Sequence, residues 1–97
     1  MKAKGEHNML QWEMIAHGRV QGVGFRWFVR HTALQLGVGG YVRNLADGSV
    51  YIIAEAEECV LSSFKDQLHI GNGYSRVDYW EIYRLDSNKR YHEFEIR

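Results

Sequence analysis

A strand pattern and a helix pattern meet at a glycine-rich loop in the stretch LQWEMIAHGRVQGVGFRWFVRHTALQL, residues 10–36. Before the loop, Leu10, Trp12, Met14 and Ala16 recur at the two-residue period of a strand. After it, residues 25–36 place apolar side chains on one face of a helix, with spacings of three and four residues. Gly37 follows as a C-terminal stop. The stretch therefore predicts a strand that enters a helix through a glycine loop.

The second half of the chain repeats strand and helix patterns in a different order. Residues 41–45 and 49–54 are strand-like and flank Ala-Asp-Gly, a strong hairpin signal. A second helical pattern follows, and it ends at Gly71-Asn72-Gly73. Residues 77–85 and 91–96 are the last two strand patterns. The apolar face of the second helix is expected to be Val60, Leu61, Phe64 and Leu68, with Glu55, Glu57 and Glu58 at its start, where they complement the helix dipole.

The element order is β-α-β-β-α-β-β, and it predicts an α+β fold, a ferredoxin-like α/β sandwich. Right-handed crossovers place both helices on one face of a mostly antiparallel sheet. The chain has 97 residues, which suits one domain. We expect residues 1–8 to be a flexible N-terminal tail and residues 9–97 to be the domain.

Composition excludes several classes of protein. Apolar residues make up 45% of the chain, and no run is long enough to cross a bilayer, so we expect no membrane partner. Twelve basic and twelve acidic residues give no net charge, which argues against a general nucleic-acid binder. The single cysteine, Cys59, favours a reducing, cytoplasmic setting. We expect Cys59 to be unreactive and partly buried in the core.

Positive charge is concentrated in one third of the chain. Residues 14–46 contain no Asp or Glu. Their cationic residues are all arginines, the side chain suited to bidentate binding of phosphate or carboxylate. They are Arg19, Arg26, Arg30 and Arg43.

The loop GRVQGVGFR, residues 18–26, combines three features of an anion site. It precedes a helix, whose first N–H groups are unpaired and whose dipole is positive at that end. Its glycines allow positive φ, so that successive N–H groups can converge as an anion nest. Arg26 falls in the first helical turn. Glycine spacing alone favours a simple connector beside a solvated arginine over an anion site, and no nucleotide-binding P-loop pattern is present.

A second segment, GYVRNLADGSV, covers residues 40–50. Asn44 is a polar residue on an otherwise apolar and aromatic strand, just before the hairpin turn. Taken by itself, Asn44 fits a residue that satisfies the turn backbone better than one that binds a ligand.

Together, the two segments resemble both signatures of the acylphosphatase family, in order and spacing, and the resemblance runs from about Leu10 to Arg97. It implies the ferredoxin-like fold and a stand-alone enzyme that hydrolyses acyl phosphates to a carboxylate and inorganic phosphate without metal or other cofactor. No segment of the sequence marks a self-association surface, so we expect a monomer. It implies that Arg26 binds phosphate, that Asn44 orients the attacking water, and that the backbone of residues 20–26 is the phosphate cradle. The family usually carries prolines in the turn after the second helix, where this chain has Gly71-Asn72-Gly73-Tyr74, so that turn is expected to be looser. The expected phosphate-binding set is Arg19, Val20, Gln21, Gly22, Val23, Gly24, Phe25 and Arg26.

The chemistry of an acyl phosphate agrees with these residue types. Its leaving group is a carboxylate, whose conjugate acid has a pKa of about 4, so no general acid is needed at neutral pH. An amide such as that of Asn44 can orient a water without ionising. His17 and His31 are the cationic segment's near-neutral titrating side chains, and we expect both to be structural or at the surface.

Two other functions stay open at this point. One is an RNA-binding ferredoxin-like module, because QGVGFRWF faintly matches a glycine-aromatic RNA signature, although that signature belongs inside a strand. The other is a regulatory domain that retains the anion pocket without catalysis.

Overall fold

The computed structural model describes residues 9–97, and the expected tail, residues 1–8, lies outside the described residues. The described chain forms five strands and two helices in the predicted order. Their bounds are β1 Met9–Arg19, α1 Phe25–Leu36, β2 Gly39–Asn44, β3 Val50–Glu57, α2 Glu58–Ile70, β4 Arg76–Leu85 and β5 Phe94–Ile96.

One sheet contains all five strands, in the order β4-β1-β3-β2-β5. The first three contacts between neighbouring strands, β4 with β1, β1 with β3 and β3 with β2, are antiparallel, and β5 runs parallel to β2. The sheet is therefore mostly antiparallel, with β1 and β3 at its centre, and the predicted ferredoxin-like α+β fold is confirmed.

Both helices cover the same face of the sheet. On β1, Met14 and Ala16 are fully buried, and they share that face with Val50 and Ile52 of β3. The periodic apolar residues of α1 and α2 complete this core, as their spacing requires. The buried helix residues are Phe25, Val29, Thr32, Ala33, Leu61, Phe64 and Leu68.

One of the three glutamates expected at the start of α2 lies elsewhere. Glu55 lies within β3, not at the helix start, because the β1–β3 ladder continues through Gln11↔Glu55. Glu57 ends β3 and is the N-cap of α2, and Glu58 is the first residue of the helix, as the sequence indicates. Glu55 is buried, and its Oε1 accepts a hydrogen bond from Nε2 of Gln11 at 2.8 Å. A satisfied carboxylate can be buried in a central strand, and the sequence pattern does not reveal its partner.

Two smaller expectations are also corrected. Cys59 is exposed in the first turn of α2, not partly buried in the core. The last strand is shorter than residues 91–96, since only Phe94–Ile96 pair with β2. Neither helix of residues 9–97 has the length and apolarity needed to cross a membrane.

Candidate functional site

The loop between β1 and α1 is fixed at both ends and bent by glycines. Val20 and Phe25 are each 1% exposed and anchor the loop in the core. Between them, Gly22 and Gly24 have φ values of 75° and 77°, in the left-handed region that side chains disfavour. The glycine positions in the motif are therefore required by the backbone path.

The amide groups of this loop are free. Within residues 9–97, no N–H of residues 21–27 donates to a backbone or side-chain acceptor, and the first helical bond of α1 runs from Phe28 N to Gly24 O at 3.1 Å. The first turn of α1 contains no acidic residue. These unpaired donors coincide with the positive end of the helix dipole, which is a favourable arrangement for an anion.

Arg26 is the second residue of α1, so it lies among these amides in the sequence, and its side chain is half-buried. It makes no ion pair and no side-chain hydrogen bond within residues 9–97. A charged guanidinium with free donors can add a two-pronged contact to an anion.

The other arginines of the cationic segment are placed differently. Arg30 donates from Nε to the carbonyl oxygen of Phe94 at 3.1 Å and so ties α1 to β5. Arg43 lies over the ring of Tyr51, 5.0 Å from its centroid. Arg19 is exposed at the end of β1. Of the four, Arg26 and Arg19 belong to the predicted phosphate-binding set, and Arg30 and Arg43 serve local contacts.

Gln21 joins the loop to the hairpin that carries Asn44. Its Nε2 donates to the carbonyl oxygens of Leu45 and Ser49, each at 2.8 Å. Asn44 ends β2, is exposed, and pairs in register with Val50. Because Leu45 directly follows Asn44, this contact brings the two sequence motifs together at one end of the sheet.

The hairpin turn itself is ordered without Asn44. Oδ1 of Asp47 accepts hydrogen bonds from the backbone N and the hydroxyl of Ser49, and these bonds lower the pKa of Asp47. Leu45 N donates to Ser49 O at 2.9 Å. The side chain of Asn44 has no hydrogen-bond partner within the described residues, so the turn leaves its amide available.

The two histidines lie outside this arrangement. His17 stacks on Tyr79 with ring centroids 4.3 Å apart, and its Nε2 is 2.6 Å from Oε2 of Glu81. Hydrogen bonds lower the pKa of Glu81, and the one from Tyr83 has a larger effect than the one from His17. His31 is exposed on α1. Both positions agree with the structural or surface roles expected of them.

Two features of the site were missed from the sequence. The sequence motif gives Gln21 a role only through its backbone, but its side chain ties two segments together. Asn72 lies outside both motifs, yet its Nδ2 donates to the carbonyl oxygen of Val23 at 2.9 Å. Spacing along the chain gives no signal for either contact, since each crosses to a distant segment. Within residues 9–97, no group of three or more His, Cys, Asp or Glu side chains is placed to hold a metal ion.

The loop between β1 and α1 has the free amides and the unpaired arginine that are typical of an anion site, and it lies in an α+β sandwich. Comparison with known proteins gives the family. The model of the acylphosphatase family matches residues 12–96. The chain belongs to the acylphosphatase family, which hydrolyses the carboxyl–phosphate bond of acyl phosphates, and the predicted enzyme class is confirmed.

Three relatives illustrate how far the similarity extends. An acylphosphatase of Archaeoglobus fulgidus is 41% identical over 88 residues, which cover 91% of this chain and 98% of the relative. The crystal structure of acylphosphatase from Bacillus subtilis matches with a TM-score of 0.86 at 40% identity, over 91% of this chain and 98% of that one. An acylphosphatase structure from Coxiella burnetii matches with a TM-score of 0.89 at 28% identity, over 99% and 100% of the two chains.

Proposed function

We propose that this chain hydrolyses acyl phosphates without a metal ion, by direct attack of water on phosphorus. The free amides of residues 21–27 and the guanidinium of Arg26 hold the phosphoryl group, and Asn44 orients the water. The observation that carries the proposal is the contact between Gln21 and Leu45, because it sets these donors beside the hairpin where Asn44 ends β2. Arg19 and the remaining loop residues contribute charge and backbone shape.

The reaction asks little acid–base chemistry of the protein. The oxygen of water bonds to phosphorus, the bond from phosphorus to the carboxylate oxygen breaks, and the electron pair leaves with the carboxylate. The water proton passes to a phosphoryl oxygen of the substrate. Because the departing carboxylate is a stable anion at neutral pH, no general acid is needed. Positioning and charge stabilisation are then the main contributions of the enzyme.

The position of Asn44 suits the water-orienting role. It follows the alternation of Gly40 and Val42, both buried on the helix-covered face, so that its side chain belongs to the same face of the sheet as α1. Its neighbour Arg43 belongs to the opposite face, where it lies over Tyr51. An amide can both donate and accept, and it keeps its state across the working pH range.

Other properties complete the proposal. We propose that residues 9–97 act as a monomeric domain in the cytoplasm, with an acyl phosphate as the substrate and inorganic phosphate as a product, and with no nucleic-acid or membrane partner. The single cysteine supports the location, and zero net charge weighs against nucleic acid. Phe25, part of the faint RNA-like signature, is buried in the core and has no free ring face for a base.

The test is phosphate release from acetyl phosphate by the wild type, Arg26→Ala and Asn44→Ala, each with and without a chelator. We expect wild-type activity to be unchanged by the chelator. Each substitution should lower kcat/KM by a factor of one hundred or more, since loss of one such group costs on the order of 3 kcal/mol in barrier. Circular dichroism should show both variants folded.

Arg43→Ala is the matched control, because it removes an arginine from the same charged segment on the opposite face of the sheet. It should retain activity within a few-fold. Full activity in Arg26→Ala or Asn44→Ala would overturn the assignment of roles, and loss of activity with the chelator would overturn metal independence.

A further inference from the structure

Asn72 lies in the turn between α2 and β4, outside both family motifs, and uses both ends of its side-chain amide. Its Oδ1 accepts hydrogen bonds from the backbone N of Tyr74 and of Ser75, each at 2.9 Å. Its Nδ2 donates to the carbonyl oxygen of Val23, also at 2.9 Å. One half of the group therefore orders its own turn, and the other half reaches the phosphate-binding loop.

The contact with Val23 fixes a peptide plane. The described chain has no cis peptide bond, so the C=O of Val23 and the N–H of Gly24 point in opposite directions within their shared plane. When Asn72 holds the carbonyl oxygen on one side, the N–H of Gly24 must point to the other. That N–H is one of the unpaired donors of the loop.

The loop would not hold this orientation by itself. Gly24 has φ 77° and ψ 16° and carries no Cβ, and glycine occupies positive and negative φ almost equally well. Type I and type II turns differ in the orientation of their central peptide, and a glycine at the third position can adopt the φ of either type. Asn72 is packed against this point, because a Cβ built on Gly24 would lie 3.7 Å from its Nδ2.

We infer that Asn72 is a positioning residue for phosphate binding, which selects the orientation of the Val23–Gly24 peptide and so directs the Gly24 amide at the phosphoryl group. The inference rests on the proposed cradle of loop amides. Asn72 itself contributes no charge and no contact to the substrate. The turn that lacks proline thereby acquires a function that a proline, with no side-chain donor, cannot perform.

The matched pair is Asn72→Ser and Ser75→Ala. Serine can still accept from the backbone N–H two residues on, but its hydroxyl is too short to replace the donor that reaches Val23. Ser75→Ala removes only the hydroxyl that accepts from Asn72 N at 3.3 Å and leaves the contact with Val23 in place. Both variants are uncharged, so neither changes the field at the loop.

Two quantities are measured: the Kd of inorganic phosphate by calorimetry, and kcat and KM for acetyl phosphate. Asn72→Ser should weaken phosphate binding about tenfold and raise KM more than it lowers kcat, since the loop loses one well-directed hydrogen bond to a charged group. Ser75→Ala should leave both constants near wild type, even where the melting temperatures of the two variants fall equally. Wild-type phosphate affinity in Asn72→Ser would overturn the inference.

A measurement on the wild type covers the case in which Asn72→Ser does not fold. On titration with inorganic phosphate, the Gly24 amide resonance should shift as strongly as those of its loop neighbours, and an unmoved Gly24 resonance would overturn the inference. Arg26→Ala separates this result from the proposed function. An inactive Arg26→Ala together with a normal Asn72→Ser rejects only the role of Asn72, whereas a fully active Arg26→Ala rejects the cradle itself.

Discussion

Nε2 of Gln21 lies 2.8 Å from the carbonyl oxygen of Leu45, across 24 residues of sequence, and the same nitrogen donates to Ser49 O. One side chain thus closes the gap between the glycine loop and the hairpin turn. Both carbonyl oxygens belong to the turn that follows Asn44. This contact therefore helps to set the spacing between the free loop amides and the Asn44 amide.

Replacing Gln21 with Met keeps the length of the side chain and removes its donor. Two carbonyl oxygens then lose a partner, so the free energy of unfolding should fall by about 1–3 kcal/mol. The value of kcat/KM should fall as well, because the loop and hairpin lose their fixed separation. Urea unfolding and acetyl phosphate kinetics measure the two effects. Gln35→Met, on the exposed surface of α1, is the control, and an equal response from both variants would contradict the tether.

Replacing Arg26 with Lys separates charge from geometry. Lysine keeps the positive charge but lacks the planar fork that binds two oxygens together. We expect kcat/KM to fall about ten- to a hundredfold, since one hydrogen bond to a charged group is worth about 1.5–3 kcal/mol. The loss should be smaller than that of Arg26→Ala. If Lys and Ala are equally damaging, the guanidinium geometry, not the charge, accounts for the whole contribution of Arg26.

The fold was largely predictable from the sequence, because each strand and helix turns one periodic apolar face toward a single core. Helix α1 begins at Phe25 and ends at Leu36, as its apolar spacing and the following glycine indicate. The place of Glu55 in β3 was not predictable in the same way. Glutamate has a low strand propensity, and the burial of Glu55 depends on a hydrogen bond from the amide of Gln11, which is distant in sequence.

The candidate site likewise has a part that the sequence indicates and a part that it does not. The loop glycines and Arg26 could be found from the sequence, because a strand-to-helix connection exposes amides wherever it occurs. The contacts of Gln21 and Asn72 could not, since each is made by an amide whose partner is a backbone carbonyl on another segment. Backbone acceptors have no residue identity, so no sequence pattern marks them.

Asp47 should make the hairpin turn sensitive to acid. Hydrogen bonds from Ser49 lower the pKa of Asp47 below its ordinary value, so this group stabilises the folded chain at pH values above about 4 and loses that contribution as the pH falls through the lowered pKa. Asparagine at this position keeps an acceptor but does not titrate. The difference in unfolding free energy between wild type and Asp47→Asn should therefore shrink from pH 6 down to pH 2. Asp66→Asn, on the exposed side of α2, is the control. A constant wild-type advantage would show that the charge of Asp47 has no part in the turn.

Two glycines should respond very differently to alanine, although both have positive φ. A Cβ on Gly40 would lie 1.8 Å from the carbonyl oxygen of Ile53 in the neighbouring strand, so Gly40→Ala must displace the β2–β3 ladder and should prevent stable folding. A Cβ on Gly22 meets nothing within 4 Å, and Gly22→Ala should cost only the left-handed backbone conformation, about 1–2 kcal/mol. Gly22→Ala should therefore fold. It should nevertheless bind inorganic phosphate more weakly than wild type, because Gly22 shapes the loop. Thermal unfolding and phosphate calorimetry distinguish the two, and a folded, stable Gly40→Ala would show that the strands tolerate a wider separation than this sheet has.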